Sequence, residues 1–191
     1  MKRLVVASAN AGKIREVSLA LSDLADWNVE SLPELPDIKE TGTTFMENAR
    51  LKALHYSRFI AGLVLADDSG LSVHALDGRP GIHSARYAPS TEERNSRLLG
   101  ELAAAQGTNR SATFYCAFAV AREGTILWTV ETELHGKIAE APVGEFGFGY
   151  DPIFFVPDFG KTLAQMSSTE KNQASARGRA LQALRSFLRS A

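Results

Sequence analysis

The sequence predicts an α/β fold, a mixed β-sheet flanked by helices, and three observations carry that prediction. Short apolar runs rich in branched residues, Leu4-Val5-Val6-Ala7 and Leu63-Val64-Leu65-Ala66, have the look of buried strands. Segments with helical spacing separate such runs. One central pair, Ala112 to Ala121 and Ile126 to Leu134, alternates in period two about Glu123-Gly124, which predicts an antiparallel hairpin. Strands interleaved with helices plus one hairpin give a sheet of mixed direction. No repeat, low-complexity tract or linker interrupts the 191 residues, so a single domain over 1–191 is expected.

The elements follow in order. The strand Leu4 to Ala7 leads through Ser8-Ala9-Asn10-Ala11-Gly12-Lys13 into a helix with Ile14, Val17, Leu21 and Leu24 as its inner stripe. A second strand is expected over Asn28 to Leu32, after which Pro33, Pro36 and Gly42 hold a loop open around Glu40. Thr44 with Glu47 makes a capping-box pattern for a helix reaching about Ile60. The apolar run from Leu63 meets Asp67-Asp68-Ser69, and the strand is expected to end at Gly70. Beyond a Gly/Pro-rich stretch, Leu76 to Gly81, Ser90 with Glu93 opens a helix through about Ala105. After the hairpin, Gly144 to Tyr150 forms a glycine- and aromatic-rich loop and Ile153 to Val156 a strand. A final helix starts near Ser167, with Glu170 three residues on, and buries Leu181, Leu184 and Leu188.

Composition narrows the function. An apolar fraction of 45% with 23% charged residues is that of a soluble globular protein. A net charge of −1 supplies no basic field, so neither nucleic acid nor an anionic membrane is an expected partner. The one cysteine, Cys116, excludes an internal disulfide and points to a reducing compartment. Its place in a strand pattern with Phe114, Phe118 and Val120 predicts a buried structural thiol. No segment approaches the ~20 apolar residues of a membrane span, and the first residues show no leader pattern. Cytoplasm is the expected location. His55, His74, His83 and His135 lack paired zinc-ligand spacing.

Several segments carry chemistry. Asp67 and Asp68 at the end of an apolar run repel each other and lose hydration, which a fold tolerates for a divalent cation, a proton transfer or an arginine partner. A plain turn of Asp and Ser before Gly is the ordinary alternative. Ser8 to Lys13 form a strand–loop–helix link able to cradle a phosphate, with small residues, a helix N-terminus and the Lys13 cation. The segment lacks the Walker pattern, and a bland connection would look similar. Glu40 sits beside Thr41-Gly42-Thr43, in reach of a metal or simply solvated; Lys52, mid-helix, has the look of an exposed charged face. A metal here would be a hard cation held by carboxylates, Mg²⁺ with phosphate oxygens completing its shell. In Glu145-Phe146-Gly147-Phe148-Gly149-Tyr150-Asp151-Pro152, glycines let the backbone approach a planar ligand and rings stack on it; a glycine-rich turn with core aromatics is the alternative. Lys171 and Arg177 are candidates for phosphate or base contacts. They stand about 240° apart on an ideal helix, so a shared ligand requires a helix irregular near Gly178 or a ligand lying across its start.

Taken together, Ser8 to Lys13, Glu40-Thr41-Gly42-Thr43-Thr44-Phe45-Met46-Glu47-Asn48-Ala49, Ala66 to Gly70, Pro80-Gly81-Ile82-His83-Ser84-Ala85-Arg86-Tyr87 and Gly147 to Pro152 resemble, in order, the motifs of the inosine/xanthosine triphosphate pyrophosphatase (Ham1-like) family. The resemblance extends over nearly the whole chain, to Ser175-Ala176-Arg177-Gly178. It implies an elongated two-lobed fold with a central cleft, a homodimer, and hydrolysis of ITP, dITP or XTP to the monophosphate and pyrophosphate. By matching positions, Ser8, Ala9, Asn10, Ala11, Gly12 and Lys13 would hold the triphosphate with help from Lys52. Glu40 and Asp68 would bind Mg²⁺, with Asp68 at the family's proton-acceptor position. Ser69 would contact substrate, and Phe148, Gly149, Tyr150, Asp151, Lys171 and Arg177 would surround the base and its sugar-phosphate end. The chain departs from the pattern at Ala9, where the family commonly has Gly, at Ala176, where it often has His, and at His83, where Tyr is common. Two other readings stay open: a nucleotide-binding module without turnover, and a pyrophosphatase for modified pyrimidine triphosphates.

Overall fold

The structure, a computed structural model, describes residues 1–31, 38–105 and 109–191. Seven strands hydrogen-bond in the order β2-β1-β3-β4-β5-β6-β7. They are β1 (Lys2–Ala7), β2 (Trp27–Ser31), β3 (Leu63–Val73), β4 (Ser111–Arg122), β5 (Thr125–Ile138), β6 (Phe154–Val156) and β7 (Lys161–Thr162). β1 runs parallel to β2 and β3, whereas β5–β6 and β6–β7 are antiparallel, so the sheet is mixed as expected. Among the described residues five α-helices accompany it: α1 (Ala11–Leu21), α2 (Phe45–Tyr56), α3 (Thr91–Ala104), α4 (Ser168–Ala174) and α5 (Ala176–Ser190). None of the described helices is long and apolar enough to cross a membrane.

The chain divides into two units. One comprises Met1–Asp68, Cys116–Glu131 and Ala180–Ala191; the other comprises Ser69–Tyr115 and Thr132–Arg179. In the first, β1 and the start of β3 are buried on both faces, Leu4, Val5, Val64 and Ala66 being wholly inaccessible, as befits central parallel strands. Val17 and Leu21 of α1 and Leu181, Leu184 and Leu188 of α5 pack into this core. Helix α1 stops at Leu21, so Leu24 lies beyond it, half-buried, rather than on its stripe. In the second unit Leu71, Val73, Leu98, Leu102, Ile153 and Phe154 form the core.

Three expectations about elements need correcting. Strand β3 does not end at Gly70 but continues to Val73. Alternation resumes past the carboxylates with Leu71 and Val73 buried, and the Leu71 N–H is taken by Ser84 Oγ at 2.9 Å. The single C-terminal helix is two, broken at Ser175, whose backbone is extended. Gly178 marks the close approach at that bend: a Cβ there would stand 2.0 Å from the Asn172 carbonyl oxygen. Helix α2 ends at Tyr56, short of Ile60, and its start uses half a capping box. Thr44 Oγ1 accepts the Glu47 N–H, but the Glu47 carboxylate turns one residue earlier, to the Thr43 N–H (2.7 Å) and hydroxyl (2.9 Å). The boxes at Ser90/Glu93 and Ser167/Glu170 form completely. The hairpin turns at Glu123-Gly124 with φ of 52° and 73°, the left-handed pair a tight two-residue turn needs. The expected strand end at Leu32, and Pro33 and Pro36, lie outside the described residues.

Beyond the end of α1, Asp23 is clamped by Arg185 of α5 through two bonds of 2.6 Å. The Arg185 hydrogen bond holds the Asp23 carboxyl near 2, below the usual 3.8. A depressed carboxyl stabilises the fold above its unfolded value and stops doing so as pH falls through the folded one. Asp23→Asn is therefore expected to lower Tm slightly at neutral pH, with the difference from wild type vanishing as pH approaches 2 in unfolding curves.

Candidate active site

The first unit gathers acid and base at the ends of β1 and β3. β1 delivers Ser8 to Asn10, and Asn10 caps α1 by accepting the Lys13 N–H at 3.1 Å while its own N–H goes to Ser8 Oγ at 3.2 Å. Capping fixes the first turn of α1, which carries no carboxylate of its own, so its N–H groups and dipole remain suited to an anion. Ala9 has taken no left-handed conformation: among the described residues the non-glycine positions at positive φ are Asp77 and Glu123. Alanine therefore fits this loop without strain.

From that first turn the Lys13 ammonium reaches Asp67 Oδ2 at 2.7 Å. Lys52, on α2, reaches Glu40 Oε1 at 2.8 Å and Asp68 Oδ1 at 3.6 Å. Successive strand side chains point to opposite faces, so adjacent aspartates meet different lysines. Lys52 is only 13% exposed, which corrects its reading as part of a solvated face. The same helix supplies Asn48, whose amide donates to Asp68 Oδ2 at 3.2 Å and accepts the Gly42 N–H at 2.9 Å, tying the Glu40 loop to the aspartate. Sequence reasoning did not single out Asn48. The signal was there: Phe45, Asn48, Lys52 and Tyr56 recur at three- and four-residue spacing, so two polar residues occupy the inner stripe of α2.

Burial pushes the Asp68 carboxyl above the usual range; Lys52 and Lys13 hold it back, Glu40 adds to the rise and the Asn48 bond opposes it. Burial pulls the Lys52 ammonium down, but the fields of Asp67 and Asp68 and the bond to Glu40 outweigh it and raise its pKa above the ordinary value. Among the described residues no three His, Cys, Asp or Glu side chains form a ready-made metal cage. Two carboxylates that already share one ammonium suit Mg²⁺, which commonly takes one or two protein carboxylates and fills its shell with water and phosphate oxygens.

The second unit holds the remaining candidates. Ser69, the residue after Asp68, accepts from Arg177 Nη2 at 2.9 Å, and Arg177 is 8% exposed. Arg177 stands on α5 and Lys171 on α4 with the break at Ser175 between them, so the separation of about 240° on one continuous helix does not apply to the pair. Lys171 pairs with Asp151 at 2.8 Å, and its ammonium lies 4.8 Å from the centre of the Phe148 ring, a cation–π distance. Asp151 Oδ2 also accepts the Phe148 N–H at 2.8 Å, so this carboxylate fixes its own loop. Tyr150 is buried, its hydroxyl donating to the Ser84 carbonyl at 2.9 Å, and burial pushes its phenol upward. Ala176 is buried at the start of α5, and its carbonyl accepts from Thr132 Oγ1.

Fold and side chains together define a mixed-sheet α/β protein with a carboxylate–lysine centre and an aromatic, glycine-rich loop whose Asp151 pairs with Lys171 of α4. The model of the Ham1 family matches residues 4–187, and the chain belongs to that family. A dITP/XTP pyrophosphatase of Geobacillus kaustophilus is 51% identical over 187 residues, covering 95% of this chain and 91% of its own. The dITP/XTP pyrophosphatase of Bacillus subtilis is 44% identical, with 98% of both chains covered. Among solved structures, a HAM1 protein from Coxiella burnetii superposes with a TM-score of 0.90 at 41% identity over 100% of both chains. A nucleoside-triphosphatase / dITP/XTP pyrophosphatase from Mycobacterium abscessus does so with a TM-score of 0.73 at 37% identity, covering 95% of this chain and 97% of its own.

Gly147 gives this geometry a direct test. Its φ is 79°, and a Cβ would stand 2.1 Å from Asp151 Oδ2. Gly147→Ala is expected to destabilise the protein by roughly 1–3 kcal/mol, the usual cost of a strained backbone position, measured by chemical denaturation.

Proposed function

We propose that this chain hydrolyses dITP, XTP and ITP to the nucleoside monophosphate and pyrophosphate, with Mg²⁺, clearing such nucleotides from the cytoplasmic pool. The observation that carries the reading is the centre in which Lys52 joins Glu40 and Asp68 while Lys13, on the first turn of α1, holds Asp67. The substrate class comes from the named activity of the Geobacillus and Bacillus relatives. A homodimer belongs to the same reading, on the strength of the family motifs, and light scattering on the purified chain tests it.

Each group then has a task. Lys13, the Ser8–Gly12 loop and the α1 N-terminus take the triphosphate, whose transfer depends chiefly on positioning and charge neutralisation. Glu40 and Asp68 would hold Mg²⁺, which when bound would supply charge neutralisation and make water more acidic. Asp68, its pKa raised by burial, accepts the proton of the water that attacks the α-phosphorus, and pyrophosphate leaves. In the other unit Phe148 and Tyr150 line the base and Arg177 supplies donors. A 6-keto purine accepts where adenine's amino group donates, so adenine would leave a buried donor unpaired at a cost of about 1–3 kcal/mol, more for a charged one.

A panel of nucleoside triphosphates with Mg²⁺, scored separately for pyrophosphate and orthophosphate, tests the reading. Pyrophosphate release from dITP and XTP well above that from the four ordinary dNTPs is expected, and chelation should abolish it. Tight binding without pyrophosphate would make the chain a binding module instead, and preference for a modified pyrimidine would move it to another substrate class. Asp68→Asn is expected to lower kcat at least ~10²-fold, the low end for loss of a general base, without loss of fold by circular dichroism. Lys52→Met removes the cation that now occupies Glu40 and Asp68. Calorimetry should show this variant binding Mg²⁺ alone more tightly than wild type while binding a non-hydrolysable dITP analogue more weakly.

A further inference from the structure

We propose that Asn95 is a positioning residue for the nucleotide base, acting by fixing the carbonyl of Gly149; the inference rests on the function proposed above. Asn95 lies on α3, is 5% exposed, and donates from Nδ2 to the Gly149 carbonyl oxygen at 3.2 Å. Its other polar atom, Oδ1, is buried with no partner. Among the described residues such orphaned side-chain atoms occur at Asn95 and at its neighbour Arg94, whose Nε is likewise unpaired.

The position makes the choice of residue informative. Asn95, Leu98 and Leu102 are the buried residues of α3, and their spacing of three and four puts them on one stripe facing the core of the second unit. A leucine at 95 would match its neighbours in kind, and no amide oxygen would be left unsatisfied. Burying an amide with one end unpaired works against stability. The bond that the amide does make goes to the loop assigned to the base, at a residue with no side chain to orient its own peptide. Around it, Tyr150 is tied to Ser84, and Asp151 to Phe148 and Lys171. Asn95 ties this loop to α3. Local stability exchanged for order at a working site is a common reason for a buried group to break the packing rule.

Asn95→Leu in the full chain separates the roles, with Asn95→Ala as a companion that makes no steric demand. For the leucine variant, a Tm equal to or above wild type is expected. KM for dITP should rise about fivefold or more with kcat within about twofold, and the preference for dITP over dGTP should shrink. The alanine variant should show the same KM rise with a lower Tm. Unchanged KM and unchanged preference in either folded variant would overturn the proposal, as would failure of both to fold, since Asn95 would then be a packing residue. A wild-type chain that releases no pyrophosphate from dITP would instead remove the proposed function itself.

Discussion

The rest of the structure depends on keeping three carboxylates, Glu40, Asp67 and Asp68, close to two ammonium groups in a partly buried place. Unit charges 4 Å apart interact by about 4 kcal/mol at an effective dielectric constant near 20, so neither the adjacent aspartates nor the lysines are tolerable without the other set. The fold meets this with short, specific contacts: Lys13 to Asp67 at 2.7 Å and Lys52 to Glu40 at 2.8 Å. The arrangement still carries one more negative than positive charge. That imbalance fits the divalent cation proposed for this centre, and the carboxylates are held by polar residues placed where helix packing alone would call for leucine. Asn48 is the clearest instance, for it binds both Asp68 and the backbone of the loop that carries Glu40.

How much of this the sequence disclosed follows from the range of each interaction. Capping boxes at Ser90 and Ser167, the turn at Glu123-Gly124 and the buried run Leu4 to Ala7 are local, and local spacing revealed them. The end of β3 is hidden in the sequence because Gly70 and two aspartates imitate a turn. What carries the strand onward is burial of Leu71 and Val73 and a bond from Ser84, thirteen residues away. The break at Ser175 was legible only as an option. Apolar periodicity runs through it, and the separation of about 240° between Lys171 and Arg177 leaves an irregularity near Gly178 as one of two possibilities. The extended Ser175 backbone and the approach of Gly178 to Asn172 locate it.

The candidate site divides along the same line. Residue types were legible as motifs: carboxylates after an apolar run, a lysine at a helix start, glycines between aromatics. Partners were not, because the pairs Lys13–Asp67, Lys52–Glu40 and Arg177–Ser69 join residues far apart in the chain. Lys52 looked solvated since charged mid-helix residues usually are; its burial becomes readable only when Asn48 and Lys52 are counted together on the inner stripe of α2.

The two sets of candidate groups are built on different physical terms, which bears on the absent imidazole at Ala176. In the first unit, charges are matched by charges, so in the reading proposed affinity for a triphosphate would come from exchanging one set of ion pairs for another. In the second, Asp151 is already committed to Lys171 and to the Phe148 N–H, and Arg177 Nη2 to Ser69. A histidine at 176 would have brought a further donor there. Alanine is buried instead, its carbonyl engaged by Thr132. In the reading proposed, recognition of a 6-keto purine would fall on the Arg177 guanidinium and on backbone groups of Phe148 to Asp151. Backbone groups discriminate only as well as their peptides are held. Besides its own Asp151–Phe148 bond, the glycine-rich loop is tied from Ser84, Lys171 and Asn95, and in the reading proposed these ties would set how sharply one base is told from another.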